Sequence, residues 1–208
     1  MAITYPLTMP PEVARAAKFM PRLKRATSLS ESIFTAEQQV TSWPYARWEA
    51  DWDIAASLRD KGSVVEGFIA ALRGRRGTFL MGPLHALNPQ GTVNTSGVQV
   101  NAAAATYATE VSLKGMGAGN TLRIGDYIQF GSGLGARLHI VSQDATANGS
   151  GVATVSIEPG LRGALAVNDP VVTQNMVGVW RLNADSIGPS IIPGFIYESL
   201  TLPCIEAV

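Results

Sequence analysis

The segment Tyr45-Ala-Arg-Trp-Glu-Ala-Asp-Trp-Asp-Ile54 alternates in character along its length. Trp48, Ala50, Trp52 and Ile54 recur at every second position, and Arg47, Glu49, Asp51 and Asp53 lie between them. Successive side chains of a strand point to opposite sides, so this spacing predicts a strand with one apolar and one charged face. A half-buried strand of this kind belongs to an antiparallel sheet. Because the opposite face carries all the charge, core packing is favoured for both tryptophans over a platform that stacks sugar rings.

Working outward, Val64, Val65, Phe68, Ile69 and Leu72 recur at helical spacing, and the pattern stops at Gly74. Glycine most readily takes the left-handed backbone that ends a helix. Ser63 and Glu66 have the spacing of a capping box, which sets the expected helix at about residues 63–73. Asp60 offers an earlier start. Arg73 is expected in the last turn, where a cation favours the helix dipole. A basic turn with Arg75 and Arg76 leads to a strand at Thr78–Met81. The three arginines have two readings, a charged contact at a subunit boundary and a solvated helix end.

Near residue 90 the style changes. Residues 91–175 hold nine charged side chains and are rich in Gly, Ala, Thr, Val and Asn. Short strand-like runs recur at Val98–Val100, Glu110–Leu113, Tyr127–Phe130, Ala136–Val141, Ala153–Ile157 and Val171–Val172. Turn signals separate them, among them Gly125-Asp126, Gly131-Ser-Gly133 and Asn148-Gly-Ser-Gly151. Such punctuation indicates a compact β-barrel or sandwich. From Met176 the earlier style returns, with strands expected at Val177–Leu182 and Phe195–Leu202. The expected fold is therefore mainly β. A β-sandwich-like domain with one α-helix comprises residues 31–90 and 176–208, and a small β-barrel domain, 91–175, is inserted into it. Residues 1–30, with prolines and the basic Arg22, Lys24 and Arg25, read as an extended N-terminal arm. It includes a short helix near Glu12–Phe19 and is ordered by reaching onto a neighbour.

No motif carries recognisable chemistry. Gly115-Met-Gly-Ala-Gly119 and Gly131-Ser-Gly-Leu-Gly135 lack the third glycine of a dinucleotide loop and any following helix, so they read as turns. The loop from Asp144 opens like a calcium loop, but Val155 stands where a bidentate Glu should. His85 and His139 are far apart and lack companions for a zinc set. Asp51, Asp53 and Glu49 share a strand face and read as a solvated surface rather than an acid/base pair. The single cysteine, Cys204, sits in an apolar setting that favours a buried, inert thiol over a reactive one. The expectation is a non-enzyme with no catalytic, cofactor-binding or metal site.

Charged residues are only 15% of the chain, against roughly 25% in ordinary soluble domains. Surface covered by neighbours explains such a deficit better than surface covered by water. Sixteen basic and sixteen acidic residues balance, so no electrostatic footprint for nucleic acid or anionic membrane is expected. The start, Met-Ala-Ile-Thr-Tyr-Pro-Leu, does not read as a signal peptide, and no run is long enough to span a membrane, so a soluble product made in the cytoplasm is expected.

Several of these pieces resemble the distal tail proteins, the tail-tip hub components of bacteriophages with long flexible tails. They are Tyr45–Trp52, Leu72-Arg-Gly-Arg-Arg-Gly-Thr-Phe-Leu80, Gly125-Asp-Tyr-Ile-Gln-Phe-Gly131, Val152–Arg162 and Phe195-Ile-Tyr-Glu-Ser-Leu. The resemblance is one of layout, without a catalytic signature. It implies a virion structural protein, assembled in the host cytoplasm, that self-associates into a ring, hexameric in that family. The ring joins the tail tube above to hub or fibre proteins for host attachment and penetration below. The alternative is a carbohydrate-binding module, with Trp48, Trp52 or Trp180 as stacking platforms, or another minor tail or adhesion protein.

Overall fold

The computed structural model describes residues 3–14, 16–194 and 196–208. The first part of the chain runs through β1 (Leu7–Thr8), α1 (Pro11–Ala14), β2 (Ala16–Glu31), β3 (Gln38–Ile54), β4 (Ser57–Leu58), α2 (Arg59–Leu72) and β5 (Phe79–Met81). Eight strands follow: β6 (Gln99–Val100), β7 (Glu110–Lys114), β8 (Thr121–Leu122), β9 (Tyr127–Phe130), β10 (Arg137–Val141), β11 (Ala145–Thr146), β12 (Ala153–Glu158) and β13 (Val171–Val172). The chain closes with β14 (Gly178–Leu182), β15 (Ile191–Ile192), β16 (Ile196–Tyr197) and β17 (Leu200–Glu206). The fold is mainly β, 42% strand and 12% helix.

The first sheet has the order β1-β5-β14-β17-β3-β2. Its strands come from residues before 82 and after 177. One face is the apolar stripe of β3, where Trp48, Ala50, Trp52 and Ile54 are all buried. Helix α2 covers part of that face with Val65, Phe68, Ile69 and Leu72, and the rings of Phe68 and Phe79 meet edge to face at 5.7 Å. The opposite face carries ion pairs from Arg22 to Asp51 and from Lys24 to Glu49. The alternation read at Tyr45–Ile54 is thus the plan of the sheet.

The second sheet, β13-β9-β10-β12-β7-β6, draws its strands from residues 99–172 and curls until a bridge between Gln99 and Pro170 nearly closes it into a barrel. Strand β9 is buried on both faces, which explains its unbroken Tyr127-Ile-Gln-Phe130. Ile128 and Phe130 fill the barrel, while Tyr127 and, on β10, Leu138 join the core of the first sheet. Gln129 is tolerated there because its side chain donates to the Gly131 carbonyl and accepts from the Val177 amide.

Four expectations are corrected at the level of elements. The helix starts at Arg59, four residues before Ser63, and the capping box does not form: the Ser63 hydroxyl donates to the Asp60 carbonyl, and Glu66 accepts from the Tyr197 hydroxyl. The helix ends at Leu72, and Arg73 itself takes the left-handed backbone (φ 53°), followed by Gly74 at φ 65°. At Gly74 a Cβ would crowd Asp185, so glycine is required there for space as well as backbone. The expected Phe195–Leu202 strand is two, β16 and β17, the second running on to Glu206; Phe195 lies outside the described residues. Most consequentially, residues 1–30 are not a free extended arm. Strand β1 pairs with β5, Val13 is fully buried and its carbonyl accepts from the Trp52 indole, and β2 pairs with β3 along its whole length. Met1, Ala2 and Arg15 lie outside the described residues.

Candidate functional site

Strands β2 and β3 pair from Ala16 opposite Ile54 to Glu31 opposite Gln38. At about 3.3 Å per residue this hairpin is about 50 Å long. Its inner half belongs to the first sheet. Its outer half leaves the body, and every residue from Gln38 to Tyr45 is exposed. The change falls at a bulge: Arg25 faces Ala46 and Thr27 faces Ser42, so Ala26 alone stands opposite Trp43, Pro44 and Tyr45. Bulges of this kind bend a strand and re-aim its side chains. An ion pair of 3.0 Å between Arg25 and Glu158, at the end of barrel strand β12, ties down the root.

The outer half has an unusual surface. No charged residue occurs between Arg25 and Glu31 on one strand or between Glu37 and Arg47 on the other. Leu29 faces Val40 across the ladder, and both are well exposed. At the tip, Ile33 and Phe34 are 94% and 93% exposed. The tip is nonetheless organised: the Ser32 amide donates to the Glu37 carbonyl at 2.9 Å, and Gln38 donates to Glu31 at 2.7 Å. Natural proteins guard free strand edges with charge, and this one does not. An apolar tip on an unguarded ladder is a surface for another polypeptide to cover.

Two concave features adjoin the hairpin. A cavity of about 370 Å³ lies at its base, lined by Pro11, Ile54, Ala55, Ala56, Leu58 and Val65, with Glu12, Asp60 and Lys61 also around it. A cleft of about 240 Å³ lies at the bulge, between the hairpin and the barrel, where Trp43, Tyr45 and Tyr107 stand beside Thr27, Ser42, Thr109 and Glu158.

Trp48, Trp52 and Trp180 are all buried and unavailable for stacking; the exposed tryptophan is Trp43. The glycines at 115, 117, 119, 131, 133 and 151 have positive φ and serve turns. Asp144 clamps a turn, accepting from the Ile124 amide and the Arg123 guanidinium, and these bonds hold its carboxyl below the usual range. His139 is buried against Phe130 and donates from Nδ1 to the Pro159 carbonyl; burial pushes its pKa down to about 4. His85 lies exposed between the rings of Phe19 and Tyr127. Among Asp51, Asp53 and Glu49, the first and last pair with cations and Asp53 accepts from Thr201. Burial pushes the Cys204 thiol far up. In the basic turn, Arg75 is bound within the chain to Asp185 and the Asn183 carbonyl.

Sequence reasoning missed a polar cluster at the seam between sheet and barrel. Buried Glu206 accepts from the Trp48 amide and, at 3.5 Å, from Arg162. Burial raises its pKa, against the pull of those donors. Its partners are 158 and 44 residues away in sequence, so no local spacing announces it. It missed the hairpin too, for which the signal was slight: a Ser/Thr/Gln-rich run around Ile33-Phe34. Among the described residues, no three His, Cys, Asp or Glu side chains come together to hold a metal ion, and no helix is long and apolar enough to cross a membrane. No family model matches the chain, and no curated protein is significantly similar to it.

Proposed function

We propose that the chain is a non-enzymatic building block of a larger protein assembly. Within that class, the reading favoured is a structural subunit of a bacteriophage tail tip. It forms a ring that joins the tail tube to the distal host-recognition and penetration apparatus. The observation that carries the proposal is the outer half of the β2–β3 hairpin, a ladder without charge between Thr27 and Ser30 and between Gln38 and Tyr45, with Ile33 and Phe34 presented to solvent at its tip. A solitary soluble domain has no use for such a surface. The low charge content of the chain and its resemblance in layout to distal tail proteins point the same way. Electron microscopy of the purified chain in negative stain is expected to show closed rings, six-fold by the resemblance. Antibody labelling is expected to mark the far end of phage tails. A chain that stays monomeric at high concentration overturns the ring.

One observation favours a second reading. The cleft holding Trp43, Tyr45 and Tyr107 sets aromatic faces beside hydroxyl and carboxylate groups, the composition of a sugar subsite. Binding of the chain to a glycan array, lost on Trp43→Ala, supports carbohydrate recognition; no binding removes it.

A further inference from the structure

Residues 91–175 hold four lysine and arginine side chains, and two of them are engaged: Lys114 donates to Asn168, and Arg123 pairs with Asp144 at 2.7 Å. The other two, Arg137 and Arg162, converge on one pocket of about 290 Å³. Strand β9 brings Phe130 to it, β10 brings Arg137 and His139, and the chain after β12 brings Arg162 and Gly163. Arg137 and His139 are two residues apart on a strand and so share a face, while Leu138 between them packs into the core of the first sheet. The rest of the lining is glycine, alanine and leucine, and it contains no carboxylate. We propose that this pocket binds a small oxyanion, a phosphate or carboxylate group on a compact body, through the guanidinium groups of Arg137 and Arg162. The site does not depend on how copies of the chain associate.

Three observations carry it. The first is unused hydrogen-bonding capacity. A guanidinium has five N–H donors. Among the described residues, Arg162 meets one acceptor, Glu206 at 3.5 Å, and its buried Nε has none, although the side chain is only 13% exposed. A buried donor left without a partner costs about 1–3 kcal/mol, and more when it is charged. Arg137 donates to the carbonyls of Leu134 and Ala136, and among the described residues it forms no ion pair.

The second is charge. Arg137 and Arg162 both add to burial in depressing the His139 pKa, and both act on Glu206, so the four groups share one neighbourhood. Two cations face a single carboxylate there, in a chain whose net charge is zero. The third is shape. The planar fork of a guanidinium matches the paired oxygens of a carboxylate or phosphate. An apolar cavity of about 150 Å³ accepts benzene, so this pocket has room for an oxyanion and a small body beyond it.

The test titrates the full chain, labelled with nitrogen-15, with inorganic phosphate and separately with acetate, holding ionic strength constant with sodium chloride. The arginine Nε–H signals and the Gly163 amide are followed by NMR. Saturable shifts at Arg137, Arg162 and Gly163 are expected with at least one of the two anions. Phosphate alone assigns the site to phosphate groups, acetate alone to carboxylates, and both to oxyanions in general. Arg137→Gln, which removes only contacts to neighbouring carbonyls, is expected to weaken binding about tenfold to a hundredfold, the loss of one charge-assisted hydrogen bond. Should that variant fold poorly, R162Q/E206Q decides instead, because it removes the cation without stranding the buried carboxylate. Shifts that fail to saturate with either anion, or binding that the deciding variant leaves unchanged, overturn the proposal.

Discussion

The indole N–H of Trp48 donates to the main-chain carbonyl of Leu138 across 2.8 Å, and so pins the central hairpin strand to the wall of the barrel. The two residues are 90 positions apart. The ring of Trp48 also lies 6.0 Å from that of Tyr127 on the neighbouring barrel strand. Trp48→Phe keeps most of the packing and removes the donor. A loss of about 1–2 kcal/mol in stability is expected from urea unfolding, the usual cost of stripping a partner from a buried polar group.

His139 gives the stability a defined pH dependence. Desolvation is the main cause of its depressed pKa, and the neighbouring Arg162 and Arg137 add to it. Below pH 6.5 the unfolded chain takes up a proton that the folded chain refuses until about pH 4. Stability is therefore full above 6.5 and falls as pH drops through that window, by about 3 kcal/mol at its lower end. Glu206, whose pKa is raised, acts in the opposite direction above its ordinary value, because the folded chain holds its proton longer. The difference between wild type and His139→Gln, which keeps a donor for the Pro159 carbonyl, isolates the histidine. A flat difference between pH 4 and 7 contradicts the assignment.

Cys204 is 2% exposed on β17, and its thiolate is strongly disfavoured there. Ellman's reagent at pH 8 is expected to leave it untouched in the native chain and to titrate one thiol once denaturant is added. Rapid labelling of the folded chain would mean that the C-terminal strand opens readily.

The two halves of the hairpin are expected to respond differently to deletion. Removing residues 2–25 takes out β1, Val13 and the inner part of β2, and is expected to abolish cooperative unfolding. Joining Thr27 to Ser42, which are cross-strand partners, through an Asn-Gly turn removes residues that are all exposed apart from the half-buried Ser32. That shortened chain is expected to melt within a few degrees of wild type. A shared fate for the two deletions would show that the outer half supports the core.

Much of the sheet plan was legible because periodicity is local. The period of two at Trp48–Ile54 and the helical spacing from Val65 to Leu72 each report which face is buried, whatever covers it. The glycine-punctuated strands of residues 91–175 were legible for the same reason: a turn needing positive φ announces itself in one or two residues. The ends of elements were less so. The capping-box spacing at Ser63 was outcompeted because residues 59–62 continue the helix and Glu66 is engaged by Tyr197, 131 residues away.

The sequence by itself determined that this protein is mainly β, that its core strand has one charged face, that Cys204 is buried and that the middle of the chain has a character of its own. Only the tertiary structure decided that residues 16–54 form one long hairpin, that its outer half stands clear of the body, and that Glu206, Arg162 and Trp48 meet at the seam. The physical reason is range. Burial patterns are written in neighbouring residues, whereas exposure of an apolar tip and the pairing of distant polar groups depend on what the rest of the chain leaves uncovered.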